Sequence, residues 1–236
     1  MEKWFSPWVD HPFTMFGVSH IVMLVIYALI LVSFCAGSRW ISSNREISSW
    51  IRWFLFSLLF VSEISYQAWA IVNGLWNAAD YLPLHLCGIA SLAGMAALAY
   101  PAPKLVQITF FLAVIPAFLA LLTPDLPHDY QHYRFWKFFL HHMAISWTGI
   151  FLIIVYEVKI NWRNAFEVFG YVALYAIIIS FINESIGSNY LYLERTPATA
   201  TPLDYLGEGW WYYINLSALT LGAFLLLTLL YKLIKR

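Results

Sequence analysis

Seven apolar blocks, each about 20 residues long, constrain this chain more than any other feature. A helix of that length spans a bilayer's hydrocarbon at a rise of roughly 1.5 Å per residue. The blocks run about Met15–Ala36, Trp50–Asn73, Leu82–Tyr100, Lys104–Thr123, Phe138–Glu157, Ala165–Asn183 and Gly209–Lys232. Proline-bearing breaks separate them, among them Tyr100-Pro-Ala-Pro103 and Thr123-Pro-Asp-Leu-Pro127. Pro116 falls inside the fourth block and predicts a kink, which a membrane bundle tolerates. The chain is 61% apolar and only 11% charged, where a soluble domain carries about a quarter charged residues. It therefore reads as an all-α polytopic membrane protein, one domain over residues 1–236, folded as a bundle of seven transmembrane helices.

The basic residues set an orientation. One set of block ends carries Arg39, Arg45, Arg52, Lys104, Lys159, Arg163, Lys232, Lys235 and Arg236, and the opposite set only Lys3, Arg134, Lys137 and Arg195. By the positive-inside rule the first set is cytoplasmic, which puts the N-terminus outside and the C-terminus inside the cell membrane. An odd number of crossings requires the same. Met1–Pro12, with Trp4, Pro7, Trp8 and Asp10, is expected to be an interfacial anchor rather than a signal peptide. The net charge of zero gives nucleic acid no purchase. Cys35 and Cys87 fall at opposite ends of their blocks, too far apart to pair.

Each polar side chain in a spanning helix is costly, so it faces the bundle interior. Cys87 lies about 7 Å below the outer start of the third block and His142 about 6 Å below that of the fifth. His20, Gln67 and Asn215 share that depth; Asn183 and Glu184 close the sixth block at the same boundary, and Glu63 lies deeper. Polar groups thus gather in the outer half, and the inner half is expected to be nearly all apolar. That asymmetry points to a site open to the outer face.

Several of these residues also have plain structural readings. Intramembrane His and Asn commonly bond one helix to another, and a buried Cys is usually a small apolar filler. His128 and His132, four apart, have metal-ligand spacing on a helical turn, but Pro127 and the polar loop predict exposed side chains instead. On a continuous helix His85 and Cys87 would stand roughly 200° apart, so a base for Cys87 must come from another helix. His141 and His142 diverge by about 100°, and spacing alone selects neither.

Leu82-Pro-Leu-His-Leu-Cys87, followed by His132-Tyr-Arg-Phe-Trp-Lys-Phe-Phe-Leu-His-His142, resembles the bacterial YwaF family of membrane proteins nearly end to end. That family is related to the human transmembrane acyltransferase of polyunsaturated ether phospholipids. More distantly it resembles the androgen-induced hydrolases of fatty-acid esters. The resemblance implies a Cys–His pair as in the acyltransferase, where the hydrolases use Thr–His. Carried over by motif position, the nucleophile falls on Cys87 and the histidine on His142, with His141 beside it.

The expected function is lipid acyl transfer through a thioester. His142 would take the thiol proton, Cys87 would attack a phospholipid acyl ester, and a lysophospholipid or water would collect the acyl group. Asn215, Asn183 or Gln67 could donate to the oxyanion, and Glu63 or Glu184 could orient the histidine. His20 and His85 are further supporting candidates. No cofactor is required and no nucleic acid is a partner; membrane lipids are. Two rivals remain. One is a metal-dependent lipid hydrolase using His20, His85, His141 or His142 with a carboxylate, although no His-Glu-x-x-His motif is present. The other is an outward-facing small-ligand binding or transport protein, which lacks the inverted repeat common in transporters.

Overall fold

The computed structural model describes residues 2–197 and 201–235. Among these, the helices in chain order are α1 (Glu2–Phe5), α2 (Val18–Ala36), α3 (Ser38–Ser43), α4 (Arg45–Val72), α5 (Leu86–Ala99), α6 (Pro103–Leu122), α7 (Tyr133–Tyr156), α8 (Trp162–Ile186) and α9 (Trp210–Ile234). Two 3₁₀ turns, Tyr190–Tyr192 and Pro202–Tyr205, lie between α8 and α9, and there is no strand among the described residues. Helices α2, α4, α6, α7, α8 and α9 are long and apolar enough to cross a membrane. The chain is a multi-pass membrane protein. Helix α5 has 14 residues, or about 20 Å, short of a hydrocarbon core of about 30 Å.

Local chemistry explains where the helices begin. Asn44 caps α4, its side chain accepting from the Ile47 amide at 3.1 Å. Helix α4 therefore starts five residues before Trp50. His132 caps α7 in the same way, its ring accepting from the Arg134 amide at 3.1 Å, so α7 also starts five residues earlier than Phe138. The third block loses four residues instead, because Pro83 turns the chain before Leu86.

Helix α7 is the hub. It packs on α4, α5 and α6, and 72% of its apolar window is buried, against 17% for α2, α8 and α9. Small residues let its neighbours approach. A Cβ built on Gly149 would stand 3.0 Å from Val114 and 3.2 Å from Ala113 of α6. The outer helices turn Leu, Ile, Val and Phe side chains outward, as lipid contact demands.

One end of the bundle collects cations by direct contact. The Arg52 guanidinium donates to the Leu98 and Ala99 carbonyls at the end of α5. Lys104 pairs with Glu167 at 2.6 Å, and the Lys232 ammonium lies 4.9 Å from the Trp162 ring centre. Arg236 and the Lys3 side chain lie outside the described residues.

The expectation of an apolar inner half needs correction. Tyr27 and Ser146 share a 2.8 Å hydrogen bond, and Ser91, Thr109 and Thr148 are buried deeper in the bundle. Small hydroxyl residues are easily overlooked in an apolar run, yet they let α5, α6 and α7 pack closely. Cys35 and Cys87 are both free, as their placement predicted.

Candidate active site

The Leu82–Cys87 stretch is a turn joined to a helix start. The Leu84 amide returns to the Leu82 carbonyl at 2.8 Å, and His85 occupies the N-cap position of α5. His85 is therefore not on the helix with Cys87, and the 200° separation does not apply. Its ring lies between Tyr190 and Tyr192, with centres at 5.1 and 5.0 Å. Cys87 sits in the first turn of α5, partly buried against the main core. Gly88 makes this turn possible, because a Cβ there would stand 2.5 Å from the Pro83 carbonyl oxygen.

Register sets which side of α7 Cys87 meets. A Cβ on Gly94 of α5 would touch Thr148 of α7 at 3.3 Å. The two helices run in the same direction, because α6 returns between them. Seven residues come within about 20° of two full turns. Cys87 precedes Gly94 by seven and His141 precedes Thr148 by seven, so on this register Cys87 falls at the height of His141 along α7. His142 precedes Gly149 by seven, and Gly149 faces α6. Depths counted from helix starts do not give this result. With the observed starts, Cys87 is about 2 Å and His142 about 14 Å along its helix.

The two histidines hold different tautomers. His142 Nδ1 is 2.8 Å from the Phe138 carbonyl, which can only accept, so Nδ1 carries the proton and Nε2 a free lone pair. His141 Nδ1 is 3.5 Å from the Lys137 ammonium, which can only donate, so His141 Nε2 carries the proton. That nitrogen is buried with no partner among the described residues. The charged groups that act on Cys87 are Lys137 and Glu63. A base and a donor thus stand side by side on α7, rings 5.8 Å apart.

The remaining predicted residues are held in structural contacts. Both N–H groups of the Gln67 amide are engaged, with Glu63 at 3.0 Å and the Tyr81 carbonyl at 2.7 Å; its oxygen accepts from Trp76 at 2.7 Å. Asn183 clamps Tyr190 through both backbone groups, at 2.9 and 3.0 Å. Asn215 donates to the Leu206 carbonyl at 2.9 Å and is exposed. Glu184 is exposed at the end of α8. His20 is buried with both ring nitrogens bonded, to the Phe16 amide at 2.9 Å and the Leu121 carbonyl at 2.8 Å. His128 and His132, expected to be exposed, are buried and stacked with centres 3.8 Å apart. The Pro12–His128 bridge draws the loop under the N-terminal segment, which the loop's polarity concealed. No three His, Cys, Asp or Glu side chains among the described residues are arranged to hold a metal.

The charge pattern used Lys137 and Arg134 only to orient the chain, and it did not predict that both rest on aromatic rings of α4. Lys137 lies 4.2 Å from the Tyr66 ring centre, and Arg134 lies 5.3 Å from that of Trp69. The spacing of Lys137 four before His141 was the available signal. A family model described as the TMEM164 family matches residues 15–228. No curated protein and no solved structure matches the chain.

Proposed function

The chain belongs to the TMEM164 family, and from the site described above we propose that it is a membrane-embedded lipid acyltransferase or transacylase with Cys87 as nucleophile. The observation that carries the proposal is the register of α5 on α7. Read along that register, the free thiol falls at the height of a buried histidine pair whose two tautomers offer one base and one donor, which supports the reading. The resemblance of the Leu82–Cys87 and His132–His142 motifs to a Cys–His acyltransferase supports the same pair.

We assign the base to His142, whose Nε2 carries the free lone pair, and not to His141, the histidine at the height of Cys87. His142 takes the thiol proton, and the thiolate attacks the acyl ester carbonyl, forming a C–S bond. His141 Nε2–H donates to the oxyanion, a role that a preorganised side-chain donor fills. The ester C–O bond breaks, and the leaving alcohol receives its proton from His142. An acceptor hydroxyl, from a lysophospholipid in a transferase or from water in a hydrolase, then attacks the thioester and releases the thiol. Glu63, one helix away on α4, is the carboxylate whose charge acts on Lys137.

We place seven crossings in the same proposal. Helix α5 lies between α4, α6 and α7, and its far end meets Arg52 at the cation-rich end of the bundle. That end is cytoplasmic by the positive-inside rule, and the site then opens to the outer leaflet.

The test is intact-protein mass spectrometry of the detergent-purified chain after incubation with mixed phospholipids. A fatty-acyl increment that hydroxylamine removes and Cys87→Ala abolishes is the expected result. Full lipid turnover by both Cys87→Ala and His142→Ala would overturn the reading.

A further inference from the structure

We infer that Arg134 and Lys137 are a phosphate clamp, the pair that grips the phosphodiester of the phospholipid whose acyl ester is presented to Cys87. The inference rests on the proposed reading of Cys87 and adds the group that the enzyme grips.

The two cations lie one turn apart on α7 and share one aromatic shelf. Arg134 is 5.8 Å from the Tyr66 ring centre and 5.3 Å from that of Trp69, and Lys137 is 4.2 Å from Tyr66. A guanidinium whose face rests on aromatic rings keeps its N–H edge free, and that edge matches two phosphate oxygens. Among the described residues neither cation has a carboxylate within salt-bridge distance; the ion pair of that kind is Lys104 with Glu167. The Arg134 side chain makes no hydrogen bond there, and that of Lys137 is the 3.5 Å contact with His141.

The nearby carboxylates do not neutralise the pair. Glu63 accepts from Gln67 at 3.0 Å, and Asp80 accepts from Asn77 at 2.9 Å on the loop before α5. Neither carboxylate lies within salt-bridge distance of Arg134 or Lys137, and a phosphodiester brings an anion that can. Both side chains are half-buried, and the cost of holding such cations without an anionic partner falls when an anion arrives.

Position along the membrane normal selects a lipid. Lys137 stands one turn, about 6 Å, nearer the outer end of α7 than His141. A glycerophospholipid in the outer leaflet has the same order, phosphate outward and ester carbonyl inward, a few bonds apart. A phosphate seated on Arg134 and Lys137 therefore delivers its ester to the level of Cys87 and His141.

The experiment measures binding without chemistry. Full-length Cys87→Ala protein in neutral detergent is titrated with short-chain phosphatidylcholine, with the matching diacylglycerol and with inorganic phosphate, following the fluorescence of the tryptophans, Trp69 among them. Adding Lys137→Gln or Arg134→Gln is expected to weaken phosphatidylcholine binding by about tenfold or more and to leave diacylglycerol binding unchanged. Lys137→Arg is expected to restore it. Equal loss for both lipids, or no loss for either, overturns the clamp. Inorganic phosphate that binds as tightly as the phospholipid overturns the lipid assignment. A clamp that behaves as expected in a protein that never forms a thioester would leave the clamp standing and remove the chemistry proposed for Cys87.

Discussion

Gly88 shows how one missing Cβ shapes the site. The Pro83 carbonyl occupies the space that any other side chain would need, 2.5 Å from the ideal Cβ, and that atom is backbone, which cannot rotate away. Gly88→Ala must push the Leu82–His85 turn off the first turn of α5 and displace the adjacent Cys87. Overpacking of this kind costs about 1–3 kcal/mol. A lower thermal midpoint in detergent, with thioester formation falling further than stability alone accounts for, is the expected outcome; wild-type acylation would show that the turn does not position the thiol. The histidines separate by a different measurement. His142→Ala removes the lone pair and is expected to slow acylation of Cys87 by about 10²–10⁴-fold. His141→Gln keeps an N–H donor and is expected to lose less than His141→Ala does. Equal losses from the two His141 variants would remove its role at the oxyanion.

At the scale of the helix, caps decide more than hydropathy. Helix α7 begins at Tyr133 because His132 accepts the Arg134 amide, and its other ring nitrogen donates to the Ser6 carbonyl at 2.8 Å. Burial pushes the stacked His128 down to about 4, and Arg134 and His132 push the same way; burial lowers His132 too. An unfolded histidine takes its proton near pH 6.5, so acidification favours the unfolded chain first. The stability from this pair is full above about pH 6.5 and is lost as the pH falls toward about 4. Thermal midpoints in detergent should fall across that window, and His128→Phe should flatten the fall. An unchanged slope in the variant would place the effect elsewhere. The six long helices were legible in the sequence because a 20-residue apolar run has few other folds. Their starts were not, since Asn44 and His132 act as caps only when the following turn is helical. For the same reason, depth counted from hydropathy edges put Cys87 and His142 at one level, where register matches Cys87 with His141. Lys137 escaped notice because its charge was credited to the membrane boundary, although it stands one turn from His141.

For the whole molecule, parity decides the topology. Six long helices alone would return the chain to the side it started from, and α5 as a further crossing would not. Its 14 residues are too few for a full bilayer unless the Leu82–His85 turn fills the outer interface or the membrane thins around it. The contacts favour a crossing, because the last carbonyls of α5 meet Arg52 near the start of α4, while the turn before α5 is tied to Gln67 near the end of α4. A helix that touches both ends of its antiparallel neighbour runs the length of it. Separate tags on the two termini read this directly in intact cells. The N-terminal tag should be reached by an impermeant reagent and the C-terminal tag only after permeabilisation, which also puts Lys104, Lys159 and Lys232 on the cytoplasmic side. Both tags on one side would make α5 re-entrant. Cys87 would then stand at the tip of a half-helix, reached from the aqueous face and not from the lipid leaflet, and the phospholipid order along α7 would lose its meaning. The topology measurement therefore bears on the chemistry as well as on the fold.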